Sequence, residues 1–327
     1  MGLADTLPTG DKTTKGKLAD CGPPKSLKVN ADDPKWVLDL NVGSEEIAGG
    51  DDDIDFLLAS MSLRDVPSTL ADVDGKADWE LLIMTFFLSK LPGLTKVHLH
   101  LSGHYEHQYF KFLDKDSLST VTDFSMEYLG RGKRPSPDVG FRFLGPAPNT
   151  QKMAMKECGD GSFYFYIKGE YPSLGELRLP NASLFKEEIQ FFHQCPKLVD
   201  LRFGFDFGSE RFARVPGASA ADALEAIQSQ AAQLTGLHLT VDNGTPPDNM
   251  GTIGSLEKFS ALKEVSIAAG FITNASDFVD SLPRSVATLT MIGDGKGVCE
   301  ALKKIKSKRP ITVKHLSCQS DCVSGAE

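Results

Sequence analysis

The chain has 327 residues, 41% of them hydrophobic and 24% charged, with a formal net charge of -9 and a pI of about 5.3. That composition supplies a buried core and excludes a disordered chain. The acidic balance argues against a phosphate backbone as partner, so no nucleic acid is expected. No apolar run approaches the roughly 18 residues a membrane span needs, the longest being Leu81 to Leu88.

Residues 1–34 are rich in Gly, Pro, Lys and Asp and read as a mobile N-terminal tail. The opening Met-Gly-Leu-Ala-Asp-Thr fits a loose myristoylation pattern at Gly2 with Thr6, and lacks the charged-then-apolar order of a secretory signal. A cytoplasmic or nuclear protein is therefore expected. Its six cysteines, Cys21, Cys158, Cys195, Cys299, Cys318 and Cys322, are too sparse for a disulfide scaffold and read as reduced thiols. The glycosylation-type triplets at Asn181, Asn243 and Asn274 then read as chance matches. Residues 35–78 read as an N-terminal cap. Val37 to Val42 alternates as a strand with Leu38 and Leu40 inward, and Ile54 to Ser62 reads as a helix. The loop Gly49 to Asp55, GGDDDID, lacks the spacing and closing Glu of a calcium loop; Asp before a helix start needs no metal.

From residue 79 to 316 a short pattern, L-x-x-L-x-L, recurs. Its triplets are Leu94, Val97, Leu99; Val121, Phe124, Met126; Leu174, Leu177, Leu179; Leu198, Leu201, Phe203; Leu234, Leu237, Leu239; Leu262, Val265, Ile267; and Val286, Leu289, Met291. Met153 with Met155 is a weaker unit, and Ile311 with Val313 a loose last strand. The middle residues 97, 124, 153, 177, 201, 237, 265 and 289 are 27, 29, 24, 24, 36, 28 and 24 apart. Alternation places both apolar residues of L-x-L on one face of a short strand. A parallel neighbour then has to come from the next unit through a crossover. Helical crossovers are expected over Trp79–Leu91, Glu187–His193, Ala221–Leu234, Phe278–Leu282 and Val298–Ile305. The residues between the apolar pairs are polar: His98, Ser125, Arg178, Arg202, His238, Ser266 and Thr290. A doubly wound sheet buries both faces of its strands, so that pattern argues against one. Residues 317–327 form a C-terminal tail.

Trp79 to His315 resembles the leucine-rich repeats of the ribonuclease-inhibitor-like group. The phrases LPGLTKVHLHL, YPSLGELRLPN, CPKLVDLRF, LTGLHLTVDN and FSALKEVSI resemble the irregular repeats that follow an F-box in many fungal proteins, although no F-box-like segment is visible here. The resemblance implies an α/β fold: a leucine-rich-repeat solenoid, a curved horseshoe with parallel β-strands on the concave face and helices or irregular coils on the convex face. It implies a non-enzymatic protein-protein interaction scaffold. The alternative is the substrate-recognition part of a ubiquitin-ligase adaptor whose F-box is lost or diverged, with ubiquitin-ligase components as partners. The Asn or Cys position of regular repeats is here Ser102, Leu129, Cys158, Ala182, Asp206, Asp242, Gly270 and Asp294.

Catalytic signatures are absent. GDGKG around Lys296 has the wrong spacing for a phosphate loop, and neither a G-x-S-x-G elbow nor an H-E-x-x-H helix occurs. No cofactor or metal is expected. The nearest approach to a metal set is His98, His100, His104 and His107, helped by Glu106. Four histidines from one strand edge and its loop do not converge on a tetrahedron unaided, so partner contact by His98 and His100 is the other reading. Arg178, Arg202 and His238 fall on successive outward positions, a stripe suited to an acidic or phosphorylated protein partner. Two segments, Gly130–Thr150 and Phe203–Gly217, read as irregular insertions. The second carries Phe205, Phe207 and Arg211, residue types that dominate binding hot spots.

Overall fold

The computed structural model describes residues 26–30, 37–42, 45–47, 88, 94–101, 113–128, 137–159, 170–208, 217–243, 252–293 and 297–316. The first three stretches, 100–101, 137–139 and 243 are described by their backbone alone. Outside the described residues lie Gly2, the GGDDDID loop, the Ile54–Ser62 helix, most of Trp79–Leu91, His104, His107 and Arg211. The chain divides into two units: residues 1–132 with 145–147, and residues 133–144 with 148–327. Nine strands run parallel to their neighbours within these units, two in the first and seven in the second.

The first unit holds β1 (Ser26–Asn30), β2 (Val37–Val42), β3 (Glu45–Ile47), β4 (Lys96–Leu101) and β5 (Asp123–Tyr128), in the order β5-β4-β1-β2-β3. The expected tail thus contributes a strand: β1 pairs antiparallel with β2 and parallel with β4. Strands β4 and β5 are parallel, with Val97 opposite Phe124 and Leu99 opposite Met126, all four buried.

The second unit holds α1 (Pro137–Phe143), β6 (Lys152–Lys156), β7 (Glu176–Ala182), β8 (Asp200–Asp206), α2 (Ala220–Ala226), β9 (Gly236–Asn243), β10 (Glu264–Ala268), α3 (Ala275–Asp280), β11 (Thr288–Ile292), α4 (Val298–Lys308) and β12 (Thr312–Leu316). Its seven strands lie side by side in chain order, all parallel, in an open sheet. Leu177, Leu201, Leu237, Val265 and Leu289 stand abreast, followed two residues on by Leu179, Phe203, Leu239, Ile267 and Met291; each is buried. Side chains of that size gain about 1.5–3 kcal/mol each on burial, so these two rows are the main stabilising term.

One hydrogen-bond device starts β5 and each strand from β7 to β11. A single carbonyl accepts two successive amides: Gln151 from Gly175 and Glu176, Gly175 from Val199 and Asp200, and Val199 from Thr235 and Gly236. Thr235 accepts from Lys263 and Glu264, and Lys263 from Ala287 and Thr288. Thr95 does the same for Thr122 and Asp123 in the first unit. Identical turns leave consecutive strands in equivalent registers, as a repeat requires.

The crossovers differ in kind: α4 runs on to Lys308, past the expected Ile305, while others are 3-10 turns or stop early. Glu188–Gln194 is a 3-10 helix that buries Ile189, Phe191 and Phe192. Its start is tied by Glu188, whose carboxylate accepts from the amide of Phe185 at 2.7 Å. Helix α2 begins in a capping box, Ser219 with Asp222, and stops at Ala226 rather than Leu234. Lys186 and Ser219 hydrogen-bond the Asp222 carboxylate and, against its partial burial, hold its pKa below the usual value. A 3-10 turn, Gln228–Gln230, follows α2. There the buried Gln230 amide donates to the carbonyls of Phe192 at 3.1 Å and Cys195 at 3.4 Å, stitching one coil to the one before.

Three expectations need correction. The Gly130–Thr150 segment is not irregular throughout, because α1 lies in it. Phe141 packs on Phe191 at 4.4 Å and Tyr171 at 5.2 Å, and a Cβ at Gly140 would lie 2.3 Å from Met155 Sδ. The absent side chain at Gly140 is what lets the helix reach the sheet. Second, the last strand buries His315, opposite Met291, whereas Val313 is only half-buried. His315 Nε2 lies 3.1 Å from the Gly293 carbonyl oxygen and Nδ1 3.9 Å from Cys299 Sγ. Third, Cys299 is disulfide-bonded, so the thiols are not all reduced. Cys158 and Cys195 are free and buried, and burial pushes the Cys195 thiol up to about 12. Among the described residues no helix is long and apolar enough to cross a membrane.

Candidate binding face of the sheet

Alternation along each strand leaves the side chains between the buried rows on the opposite face. In the second unit the register aligns Ala154, Arg178, Arg202, His238, Ser266, Thr290 and Lys314 in one row across seven strands. The sequence stripe of Arg178, Arg202 and His238 is therefore real as a geometric object. In the first unit His98 stands opposite Ser125, with its Nδ1 hydrogen-bonded to the Ser125 hydroxyl. The backbone of His100 is in register with Glu127.

The stripe is not a bare cationic strip. Two residues earlier on the same strands runs a second row, Lys152, Glu176, Asp200, Gly236, Glu264, Thr288 and Thr312. Its acids reach the bases. Asp200 takes Arg202 through both Nε and Nη2, at 3.2 and 3.1 Å. Glu176 takes Lys152 at 2.9 Å and Arg178 at 3.4 Å. Residues i and i+2 share a strand face, so these acids were legible from spacing once the bases had been picked. The resulting face is a mosaic of paired charges, each exposed pair stabilising by at most about 1 kcal/mol.

His238 sits at the centre of the mosaic. Its Nε2 is 4.0 Å from Asp200 Oδ1 and 3.9 Å from Glu264 Oε2, too far for hydrogen bonds. Burial first, and then the Arg202 charge, hold its pKa below the ordinary histidine value despite the two carboxylates. The imidazole is therefore neutral at physiological pH.

At the C-terminal end of these strands Asp242 crosses its neighbour. Its Oδ2 accepts from the backbone amide of Asn181 on β7 at 2.7 Å, while Oδ1 accepts from Thr240 Oγ1 at 2.8 Å. The strand between them carries Gly204, where a Cβ would lie 1.7 Å from Asp242 Oδ2. Asn181 has a left-handed φ of 53°, and the β7–β8 register shifts between Leu179 and Ala182, so the carboxylate holds an irregular strand end in place. The Asn181 amide group also hydrogen-bonds Glu157. Gly204 and Asp242 carried no sequence signal strong enough to select them.

The aromatic loop differs from its reading. Strand β8 continues the alternation Leu201, Phe203, Phe205 up to Asp206. Phe205 is 2% exposed, stacked on Phe203 at 4.2 Å and edge-on to Phe271 at 5.1 Å, so it belongs to the core rather than to a contact surface. Phe207 is half-buried and stacks on Phe205 at 5.5 Å, which leaves one aromatic at the rim.

No family model matches the chain, and no curated protein matches it. Among solved structures it is similar to a structural-genomics protein from Bacteroides fragilis, at 11% identity over 87% of this chain and 91% of that one, with a TM-score of 0.38. A likeness at that level carries no argument about fold or activity.

Proposed function

We propose that the chain is a leucine-rich-repeat solenoid acting as a non-enzymatic protein-binding scaffold. Its partner lies along the polar, concave face of the sheet and against the adjoining rim near Phe207. The observation that carries this reading is the pair of in-register rows, Lys152 to Thr312 and Ala154 to Lys314, which run across seven strands and set Glu176 beside Arg178 and Asp200 beside Arg202. Such rows present an extended surface of fixed spacing, suited to a partner segment with its own alternating charges. Arg178 keeps Nε and Nη1, and Arg202 keeps Nη1, free of acceptors among the described residues, so both guanidinium groups hold donors in reserve for a partner carboxylate. The adaptor reading attached to the F-box resemblance would use the same face and differ in the partners recovered.

The test compares affinity purification of the full chain with that of Arg178→Glu/Arg202→Glu, followed by mass spectrometry. A partner retained by the unmodified chain and lost from the variant, with an unchanged melting temperature, supports the face as the contact. Retention of every partner by the variant overturns it. Cullin-complex components among the lost partners select the adaptor.

A further inference from the structure

The last coil breaks the apolar rule at an inward place. In the preceding strands that place holds Leu179, Phe203, Leu239, Ile267 and Met291; in β12 it holds His315, 5% exposed and in register with Met291. Burying an imidazole there costs desolvation that a leucine avoids, so its contacts are informative. A carbonyl oxygen only accepts, so the 3.1 Å contact with Gly293 requires the hydrogen on His315 Nε2. In the neutral ring Nδ1 is then the bare, basic nitrogen, and it faces Cys299 Sγ at 3.9 Å.

Cys299 has a different setting from the other described cysteines. Cys158 and Cys195 are free and buried, and burial pushes the Cys195 thiol up to about 12, which leaves it inert. Cys299 is half-buried and disulfide-bonded. It is the second residue of the 11-residue helix α4, whose N-cap, Gly297, supplies no side-chain cap. Backbone amides in the first turn of a helix favour an anion. A sulfur anion at Cys299 therefore meets two stabilising neighbours held by the fold, the start of α4 and the imidazolium form of His315.

We propose that Cys299 and His315 form a thiol–disulfide exchange site, with a small thiol of the glutathione class as co-reactant. The thiol gives up its proton, and its thiolate attacks the sulfur bonded to Cys299. The S–S bond breaks, its electron pair stays on Cys299 Sγ, and the attacking sulfur forms a mixed disulfide with the other cysteine. His315 Nδ1 takes the released proton and donates it as a hydrogen bond to the Cys299 thiolate, while Nε2 keeps Gly293. A second thiol resolves the mixed disulfide, leaves its proton on the departing cysteine sulfur and yields the oxidised dimer of the reductant. Two electrons pass from two thiols to one protein disulfide. The better-stabilised sulfur leaves faster, so the surroundings of Cys299 set which sulfur is attacked. This site lies within the last coil and is independent of the sheet-face reading.

The test uses the full chain, equilibrated with glutathione disulfide and then exposed to reduced glutathione. Alkylation and mass spectrometry of the Cys299 peptide follow the opening, and ultraviolet thiolate absorbance at neutral pH follows its product. Cys299 should become alkylated only as glutathione acts, with a thiolate signal that Cys299→Ser lacks. His315→Leu restores the residue type of the preceding coils; it should slow the opening by about tenfold and abolish the thiolate signal. If His315→Leu lowers the melting temperature, His315→Gln serves, because it keeps a donor for Gly293 and removes the base. An unlinked Cys299 after equilibration overturns the proposal, as does a thiolate signal that survives in a folded His315 variant. Opening rates within about twofold of the parent in those variants also overturn it.

Discussion

Replacing Gly204 by Ala should weaken the end of the sheet through Asp242 rather than through a packing clash. The new Cβ would lie 1.7 Å from Asp242 Oδ2 and 2.3 Å from its Cγ, so the carboxylate must leave. Asp242 is exposed and has water to swing into, which removes the steric term and leaves the lost hydrogen bonds. A bond from a backbone amide to a charged acceptor contributes about 1.5–3 kcal/mol, and exposure of this site to solvent brings that toward about 1 kcal/mol. Gly204 has no left-handed φ, so Ala at this position returns about 0.4–1 kcal/mol by narrowing the unfolded ensemble. The expected net loss is about 0–0.6 kcal/mol for Gly204→Ala and about 1 kcal/mol for Asp242→Ala. The sharper quantity is their coupling. With Asp242 already removed, Gly204→Ala displaces nothing and becomes neutral or stabilising, which gives an interaction energy of about 1 kcal/mol. Urea unfolding of the parent, both single variants and the double variant measures it. Additive losses would refute the assignment of the carboxylate as the bridge from β9 to β7.

Two further outcomes follow from the same geometry. His238 has its pKa depressed by burial and by Arg202, so the unfolded chain takes up the proton first as pH falls. Its contribution is intact above the unfolded value of about 6.5 and is lost as pH drops toward the lower folded value. Melting temperatures between pH 7.5 and 5.5 should therefore fall less steeply in His238→Gln than in the parent, and equal slopes would show that the imidazole is not held neutral. Gln230→Met keeps the volume and deletes the donors to Phe192 and Cys195, and should cost about 1–2 kcal/mol locally. Alkylation of the buried Cys195 in the native protein should then quicken by about tenfold; an unchanged rate would mean that the stitch does not hold that turn closed.

The legible part of the structure was the part governed by local alternation. Leu177 with Leu179 and Leu237 with Leu239 needed only the period of a strand, and each is buried where the pattern places it. Errors came where a tertiary contact overrides a local signal. Gly130–Thr150 reads as an irregular insertion, yet α1 forms within it because Gly140 admits the Met153 and Met155 side chains. Phe205 reads as a loop anchor when Phe203 is taken as the strand end, although the alternation from Leu201 runs on through it. His315 breaks the apolar rule by occupying an inward place within reach of Gly293 and Cys299. On the binding face, the bases were legible as single residues. The i, i+2 spacing also puts Glu176 and Asp200 on the same face as the bases, and side-chain reach within each strand shows that they pair.

The strands of the second unit begin at residues 152, 176, 200, 236, 264, 288 and 312. The step from 200 to 236 is 36 residues against 24 for its predecessor, yet Asp200 still pairs with Gly236 as Glu176 pairs with Asp200. The connection of extra length, in which α2 lies, leaves the pairing of β8 with β9 in place. Duplication or loss of one whole coil would therefore change the length of the presented surface in increments of about 4.8 Å, with the remaining rows undisturbed. A lineage could alter the reach of such a protein by gene-level arithmetic alone, without redesigning a single existing contact.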